Sequence, residues 1–309
     1  MLNPGAALLL LAGLWDRFLG EPHNRYHPVA WIGTAIGRAA KALHDTDAPA
    51  GQAMTPFARG LLLAIGIPLA CALIGAEVER LPLWLAWPLH LFLLKSSFSL
   101  WTLLQAAERL NRLLQLNQLD RARQQLSWLC SRDARQLTPE ELAAATIESV
   151  AENLSDSLIA PLFFYACFGL PGALAYRAIN TADAMIGYRG HYEHFGKAAA
   201  RLDDVANFIP ARLTAGLLLL AAPVCGYRAE HGWAVAWQDA KRTASPNAGV
   251  PMAAMAGLLH VRLSKPGHYT LAASNRAATP EDIARAIEVA RIAGLFAFAL
   301  CGTWLLSQA

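Results

Sequence analysis

The sequence contains little charge. Asp, Glu, Lys and Arg make up 16% of its 309 residues and the formal net charge is +3, whereas typical soluble domains are roughly a quarter charged. No basic stripe with interleaved aromatic residues occurs, so nucleic acid is not an expected partner. Hydrophobic residues make up 55% of the chain, and the mean hydropathy is +0.30. This composition predicts an integral membrane protein, with a very apolar soluble helical protein as the alternative.

Several familiar motifs are also missing. The chain has no GxxxxGK(S/T) phosphate loop, no GxSxG elbow and no dinucleotide fingerprint. Its five cysteines contain no CxxC pair and lie mostly in apolar runs, so we expect neither a disulfide nor a zinc role for them. The pair His191 and His194 lacks a third zinc ligand. No basic region precedes the apolar run 6–15, so we expect a retained segment rather than a secretory signal.

What the chain does contain is a series of apolar segments. Their lengths approach the roughly 20 residues that a bilayer-spanning helix needs. They cover residues 2–19, 60–76, 81–101, 213–227 and 290–306. We expect Lys95, near one end of the third segment, to extend its ammonium group outward to the interface.

A further apolar segment, 158–176, is interrupted by Gly169-Leu170-Pro171-Gly172. This interruption predicts either one kinked spanning helix or a hairpin of two short helices. No alternating strand pattern occurs anywhere in the chain. We therefore predict an all-α, polytopic integral membrane protein with about four to six membrane-embedded helices and helical polar loops. We expect residues 1–309 to form a single membrane-embedded domain.

The polar region 105–156 is rich in helix-forming residues. A helix start is predicted at Thr138 as N-cap, with Pro139 in the first turn and Glu141 completing a capping box. Further along this helix, four-residue spacing places three carboxylates on one face. They belong to Glu148, Glu152 and Asp156. The row is either a solvated acidic face or a Mg²⁺ site, since Mg²⁺ commonly uses one or two carboxylates together with substrate phosphates.

The stretch 177–213 is polar although apolar runs flank it on both sides. Helical spacing groups its side chains into pairs: Asn180 with Asp183, Arg201 with Asp204, and Asp203 with Asn207. These are either salt-bridged surfaces of a helix pair or parts of a functional site next to the membrane. The later run "SPNAG", which begins at Ser245, reads as a turn whose backbone N–H groups can form an anion cradle.

Five blocks of the chain together resemble a known family. They read "DRFLGEPHNRYHPVAWIG", "IESVAENLSDSLIAPLFF", "YRAINTADAMIGYR", "ARLDDVANFIPARL" and "SPNAGVPMAAMAG", between about residues 16 and 261. Their order and spacing are similar to those of the adenosylcobinamide-phosphate synthase family of cobalamin biosynthesis, CobD/CbiB. The resemblance implies a multi-pass protein of the cell inner membrane, with its polar blocks on the cytoplasmic side. Other cobalamin-assembly enzymes would be possible partners.

The resemblance also implies a reaction. Such enzymes join aminopropanol or its O-phosphate to the free propionate of adenosylcobyric acid, which makes the corrinoid a substrate, with ATP and Mg²⁺ as implied cofactors. A non-enzymatic corrinoid-binding carrier or scaffold of the same pathway is the alternative. An unrelated transporter with intramembrane carboxylates is a third hypothesis, against which the ordered blocks argue.

We assign roles only to residues in the matching blocks. The expected catalytic residues are Asp203, Asp204 and His27. The expected substrate- or phosphate-binding residues are Arg201, Arg212, Asn153, Asn180, Thr181, Tyr188, Asn207, Ser245 and Asn247. The expected Mg²⁺ ligands are Glu148, Glu152, Asp183 and Asp156.

The chain departs from the family pattern at several positions. Single positions that differ are Glu21, Ala134, Ser157 and Met252. The segment Leu263-Ser264-Lys265 stands where a Gly-rich segment is usual. The stretch between Tyr269 and Thr279 is shortened. The departures after residue 251 leave the preferred amine of this chain open.

Overall fold

Helices form most of the structure, a computed structural model that describes residues 4–44, 54–188 and 190–308. The first six are α1 (Pro4–Phe18), α2 (Pro28–Leu43), α3 (Met54–Arg80), α4 (Leu83–Ser97), α5 (Trp101–Gln115) and α6 (Leu119–Leu126). Then come α7 (Pro139–Leu154), a π-helical turn (Ser155–Ile159), α8 (Ala160–Ile186), α9 (Lys197–Ala206) and α10 (Phe208–Ala221). The last are α11 (Ala229–Asp239), α12 (Gly249–Leu259) and α13 (Pro280–Ser307).

Four helical segments are long and apolar enough to cross a membrane. They cover Met54–Arg80, Pro139–Ile186, Phe208–Cys225 and Pro280–Ser307. The prediction of an all-α polytopic membrane protein is therefore confirmed. Two of the predicted apolar segments form shorter helices, since α1 and α4 contain 15 residues each.

The predicted interruption in α8 is a sharp reversal of the chain. Gly169 adopts φ 66° and ψ −157° inside the helix, a conformation that favours glycine. The rings of Phe164 and Tyr176 stack with centroids 5.1 Å apart, whereas residues twelve apart in a straight helix lie roughly 18 Å apart. The Glu79 carboxylate accepts the N–H of Leu170 at 3.0 Å and so caps the returning segment. Of the two alternatives, the hairpin is the one that forms.

The predicted start of α7 is confirmed in detail. The Thr138 hydroxyl accepts the N–H of Glu141 at 3.2 Å, and the Glu141 carboxylate accepts the N–H of Thr138 at 2.8 Å. The helical region before it is less continuous than predicted, because α6 ends at Leu126 and residues 127–138 form a loop. The carbonyl of Leu137 in this loop accepts hydrogen bonds from the Arg123 guanidinium.

A small sheet accompanies the helices, although no alternating pattern in the sequence indicated it. β1 (Val261–Lys265) pairs antiparallel with β2 (Tyr269–Leu271) and parallel with β3 (Arg276–Ala277), in the order β2-β1-β3. β2 and β3, with three and two residues, are too short to show an alternating pattern, and β1 alternates in burial only over its first three residues. The hairpin of β1 and β2 places Lys265 opposite Tyr269.

The chain forms two compact units whose segments interleave along the sequence. Unit 1 comprises Met1–Ser99, Ala160–Asn207 and Cys301–Ala309, and unit 2 comprises Leu100–Ile159 and Phe208–Leu300. In unit 1, helices α2, α3, α8 and α9 enclose a core that includes Ile36, Leu63, Ala182 and Phe195. In unit 2, α7 packs against α5, α12 and β1 and is buried from residue 142 to residue 151. The expected single embedded domain stays a prediction.

Candidate functional site

An acidic cluster of three carboxylates, Asp183, Asp203 and Asp204, lies between α8 and α9 in unit 1. Two amides hold the central carboxylate. Asn207 donates to one oxygen of Asp203 at 2.9 Å, and Asn180 donates to the other at 3.5 Å. The buried hydroxyl of Tyr176 donates to the Asn207 carbonyl oxygen at 2.8 Å, which turns the Asn207 amide toward Asp203. The structure thus brings together residues of the third and fourth blocks.

Charge repulsion acts within this acidic cluster. Burial, together with the neighbouring charge of Asp183, raises the pKa of Asp203 to about 7. Arg201 flanks the cluster, and one of its guanidinium nitrogens lies 3.6 Å from Asp204. The Arg201 side chain is 73% exposed, so it remains accessible to a ligand. A Cβ added at Gly187 would lie 2.7 Å from the Asp183 backbone oxygen, so glycine is favoured there.

A second polar group in unit 1, the lysine cluster, consists of Asp16, Glu21, His27 and Lys95. The Lys95 ammonium is fully buried and lies 2.8 Å from Glu21 and 3.3 Å from Asp16. It also donates to the carbonyl of Phe98 at 3.4 Å. The expectation that Lys95 extends outward was therefore wrong, because two carboxylates of the first block compensate its charge inside the protein.

His27, expected to be catalytic, makes structural contacts in this lysine cluster. Its Nε2 lies 3.0 Å from the Glu21 carboxylate, and its Nδ1 accepts the N–H of Val29 at 3.2 Å as the N-cap of α2. Burial alone would raise the pKa of Glu21, but the hydrogen bond with His27 and the charge of Lys95 outweigh it and lower that pKa to about 2. With both ring nitrogens engaged, His27 has no nitrogen left for a substrate in this arrangement.

Unit 2 contains an ion-pair cluster formed by Arg132, Glu148, Lys265 and Tyr269. Glu148, 3% exposed, pairs with an Arg132 nitrogen at 2.5 Å, and the same guanidinium donates to the Ser264 carbonyl at 3.4 Å. The charge of Lys265 and the hydroxyl of Tyr269 also act on Glu148. Burial opposes the charge on Arg132, but Glu148 outweighs burial and raises the pKa of Arg132. The second oxygen of Glu148 has no hydrogen-bond donor among the described residues.

Other polar residues of the second block follow Glu148 along α7. Asn153 donates to the carbonyls of Ser149 at 2.9 Å and Leu129 at 3.3 Å, so it fixes the loop 127–138 rather than presenting its amide to a ligand. Glu152 and Asp156 are half-buried, and Asp156 lies in the π-helical turn, a feature often found at functional sites.

The fourth and fifth blocks meet in unit 2. The Arg212 guanidinium donates to the Asn247 side-chain oxygen at 3.0 Å and to the Phe208 carbonyl at 2.7 Å. The expected anion cradle is occupied from within, since the Ser245 hydroxyl accepts the N–H groups of Asn247 at 3.2 Å and Ala248 at 3.4 Å. The turn is therefore closed by its own side chain.

Comparison with known proteins identifies the relatives of this chain. The family model described as CobD/Cbib protein matches residues 9–295. The chain belongs to the CobD/CbiB family. The cobalamin biosynthesis protein CobD of Dehalococcoides mccartyi is 40% identical over 294 residues, covering 93% of each chain. CobD of Citrobacter koseri is 35% identical and CbiB of Salmonella typhi is 33% identical, each over 94% of both chains. No solved structure matches the chain.

Within the CobD/CbiB frame, two predicted residues lie apart from these clusters. Thr181 donates its hydroxyl to the Arg177 carbonyl at 2.6 Å along α8, and Tyr188 is exposed just after α8. No group of three or more His, Cys, Asp or Glu side chains in the described ranges is arranged to hold a metal ion by itself. The predicted Mg²⁺ ligands divide between unit 1, which contains Asp183, and unit 2.

Sequence reasoning missed Arg132, Tyr269 and the buried role of Lys95 in this family member. One signal was available for Lys95, because an ionisable side chain inside an apolar segment usually has a partner. For Arg132 and Tyr269, the departures from the CobD/CbiB pattern near them marked the region without indicating a contact. Their proximity depends on the loop 127–138 and on the β1–β2 hairpin, which periodicity does not reveal.

Proposed function

We propose that this protein catalyses an amide ligation in cobalamin biosynthesis, joining aminopropanol or its O-phosphate to the free propionate of adenosylcobyric acid at the expense of ATP. Family membership supports the pathway. The main support for this reaction is the acidic cluster of Asp183, Asp203 and Asp204. Its neighbouring carboxylates repel one another, so the cluster favours binding a proton or a cation. A carrier that only held the corrinoid would have no need for such a cluster.

The chemistry sets the requirements. A carboxylate is a poor acyl donor, because its leaving group would be oxide. Ligases of this type transfer the γ-phosphate of ATP to the carboxylate and release ADP. The amine, once it has lost a proton, attacks the acyl carbon and phosphate leaves. The site must therefore accept a proton and stabilise phosphate charge. It must also keep water from the acyl phosphate.

The residues of the acidic cluster fit Mg²⁺ by their chemistry. They offer hard carboxylate oxygens, and Mg²⁺ in proteins commonly uses one or two carboxylates together with substrate phosphates, so a closed cage of protein ligands is not required. We assign this role to Asp183 and Asp204. When bound, Mg²⁺ would neutralise phosphate charge.

We assign the proton acceptor to Asp203. Two amides, from Asn180 and Asn207, fix both of its oxygens, which holds the carboxylate in one orientation for proton transfer. Its proton would come from the ammonium group of the amine before that nitrogen attacks the acyl carbon. The exposed guanidinium of Arg201 beside the cluster suits contact with a phosphate group.

The decisive assay uses purified full-length protein with adenosylcobyric acid, aminopropanol phosphate and Mg-ATP. We expect the amide product by mass spectrometry, no product from Asp203→Ala, and unchanged product from the exposed control Asp120→Asn. Corrinoid binding without any amide product would favour the carrier instead. Wild-type turnover by Asp203→Ala would remove the assigned base.

The membrane orientation needs its own experiment. ATP and the substrates are cytosolic, which supports an inner-membrane protein with its polar blocks on the cytoplasmic side. Single cysteines at Tyr188, which is exposed, and at Ser245, which is half-buried, in an otherwise cysteine-free variant should both react with a membrane-impermeant thiol reagent from that side only. Labelling of either of them from the opposite side would contradict this orientation.

A further inference from the structure

An apolar groove lies between α3 and α9 in unit 1. Its volume is about 420 Å³, within the range of roughly 300 to 1,000 Å³ that is usual for ligand pockets. Two cationic side chains, Lys197 and Arg201, lie beside its apolar walls. We propose that this groove binds an anionic phospholipid, with an acyl chain on the apolar walls and the headgroup at Lys197, next to Arg201. The inference goes beyond the proposed ligation and does not depend on it.

One wall of the groove comes from α3, a helix long and apolar enough to cross a membrane. Phe57, Leu61, Ala64 and Ile65 line the groove, and helical spacing places them on one face of α3. Residues 57–65 cover roughly 12 Å of helix and begin in its first turn. The groove therefore starts at one end of a membrane-spanning helix, where lipid headgroups meet their acyl chains.

The other wall comes from α9. Lys197, Arg201 and Val205 recur at intervals of four residues and so share one face of this helix. A Cβ added at Gly60 would collide with the Phe195 carbonyl, so the chain just before α9 lies directly against α3. This close approach places Lys197 beside the first turns of α3. Lysine can pack its stem on an apolar wall while its ammonium group stays at the interface.

The groove is separate from the carboxylate that accepts a proton in the proposed reaction. Asp203 is two residues away from both Arg201 and Val205, and residues at that spacing lie on opposite sides of a helix. Arg201 borders the groove and the acidic cluster alike, since it also lies 3.6 Å from Asp204. Lys197 is exposed on the groove side, so it is the residue through which the groove can be tested alone.

The chemistry of the walls favours a lipid with a negative headgroup. A soluble phosphate compound would match the cations but would leave the apolar walls uncovered, and a neutral lipid would cover the walls without matching the cations. Exposed apolar surface with a polar rim is typical of interaction sites, and Lys and Arg near a membrane surface attract anionic lipids. An anionic phospholipid satisfies both parts of the groove.

The test counts bound lipid. Delipidated full-length protein in detergent would be titrated with phosphatidylglycerol or with phosphatidylcholine of identical acyl chains, and bound lipid would be measured by native mass spectrometry. We expect wild type to bind phosphatidylglycerol more tightly than phosphatidylcholine. We expect Lys197→Gln to weaken phosphatidylglycerol binding about fivefold and to leave phosphatidylcholine unchanged. Lys197→Arg and the exposed control Lys241→Gln should match wild type.

A second pair of variants tests the apolar wall. Ile65→Asn should weaken the binding of both lipids, because a polar side chain then faces the acyl chain. Leu62→Asn makes the same kind of change at an exposed position of α3 outside the groove and should leave both unchanged. Equal losses in Ile65→Asn and Leu62→Asn, or no loss in Ile65→Asn, would place the acyl chain elsewhere.

Three other results would overturn the assignment. They are equal affinity of wild type for the two lipids, equal phosphatidylglycerol binding by wild type and Lys197→Gln, and full displacement of phosphatidylglycerol by an equal concentration of glycerophosphoglycerol. The last would show a site for a phosphate group alone, because that compound has the headgroup without acyl chains. None of these measurements uses amide formation, so a protein without ligase activity can still retain the lipid site, and an active ligase can lack it.

Discussion

The acidic cluster of unit 1 and the ion-pair cluster of unit 2 handle partly buried charge in opposite ways. In unit 1, Asp183, Asp203 and Asp204 lie together, and Arg201, whose side chain is mostly exposed, flanks them. In unit 2, the carboxylate of Glu148 is paired directly with a guanidinium. Neighbouring like charges repel one another and therefore favour binding a proton or a cation, whereas a paired carboxylate mainly stabilises the structure around it.

The lysine cluster extends this comparison within unit 1. Two carboxylates there lie beside the buried ammonium of Lys95, so unit 1 contains a cluster of opposite charges as well as a cluster of like charges. The sign of the neighbouring charges, rather than the location in one unit, therefore distinguishes the two kinds of cluster. Substitutions in the two kinds of cluster should accordingly differ in whether they affect stability or turnover.

The largest effect is expected at the acidic cluster. Asp203→Asn removes the proposed proton acceptor, and we expect amide formation to fall by about 10²- to 10⁴-fold. The free energy of unfolding should change by less than about 1 kcal/mol, because relief of repulsion offsets the weakened contacts with Asn180 and Asn207. Turnover and thermal unfolding of the detergent-solubilised protein would be measured together, with Asp120→Asn as control. A large loss of stability would mean that the cluster is structural.

The next largest effect is expected on stability rather than on turnover. Arg132→Gln leaves Glu148 buried without its partner, and we expect the free energy of unfolding to fall by about 3 to 5 kcal/mol. The double variant Arg132→Gln/Glu148→Gln should recover most of that loss, because no buried charge remains. Arg135→Gln, an exposed arginine of the same loop, serves as the control. Equal unfolding curves for Arg132→Gln and Arg135→Gln would show that the ion pair contributes nothing.

The compensated lysine cluster predicts a pH dependence. Glu21 has a folded-state pKa of about 2, below its ordinary value of 4.5. The ionised Glu21 therefore contributes fully to the free energy of unfolding above about pH 4.5. This contribution, about 3 kcal/mol in total, is lost as the pH falls towards 2. As the pH is lowered across this range, the midpoint temperature of thermal unfolding should fall more steeply in wild type than in Glu21→Gln. Parallel curves would mean that Glu21 is not stabilised by Lys95 and His27.

The sequence predicted those features that depend on neighbouring residues. The capping box of Thr138, the interruption at Gly169 and the pairing of Asp203 with Asn207 all follow from spacings of a few residues, and the structure contains each of them. The long apolar segments likewise indicated the membrane-spanning helices. In each case a local pattern had one dominant physical explanation.

The features that it did not predict depend on distant residues. Lys95 meets Glu21 across 74 positions, and the Arg132 guanidinium meets the Ser264 carbonyl across 132. No periodicity connects such positions, so the charges appeared as separate surface groups. The turn at Ser245 illustrates a different limit. Its sequence suggested backbone N–H groups available for an anion, but a side chain of the same turn accepts their hydrogen bonds.

The smallest expected effect tests the scaffold of unit 2 without changing a charge. Thr138→Ala removes the N-cap of α7 and should lower the free energy of unfolding by about 1 kcal/mol, whereas Thr138→Ser should retain it. Thr138 lies at the end of the loop that carries Arg132, but its contact with Glu141 is separate from the ion pair. In a double variant with Arg132→Gln, the two losses should therefore add within about 0.5 kcal/mol. Coupling larger than this would show that the cap sets the position of the ion-pair cluster, so that pairing and local helix structure could no longer be treated as independent.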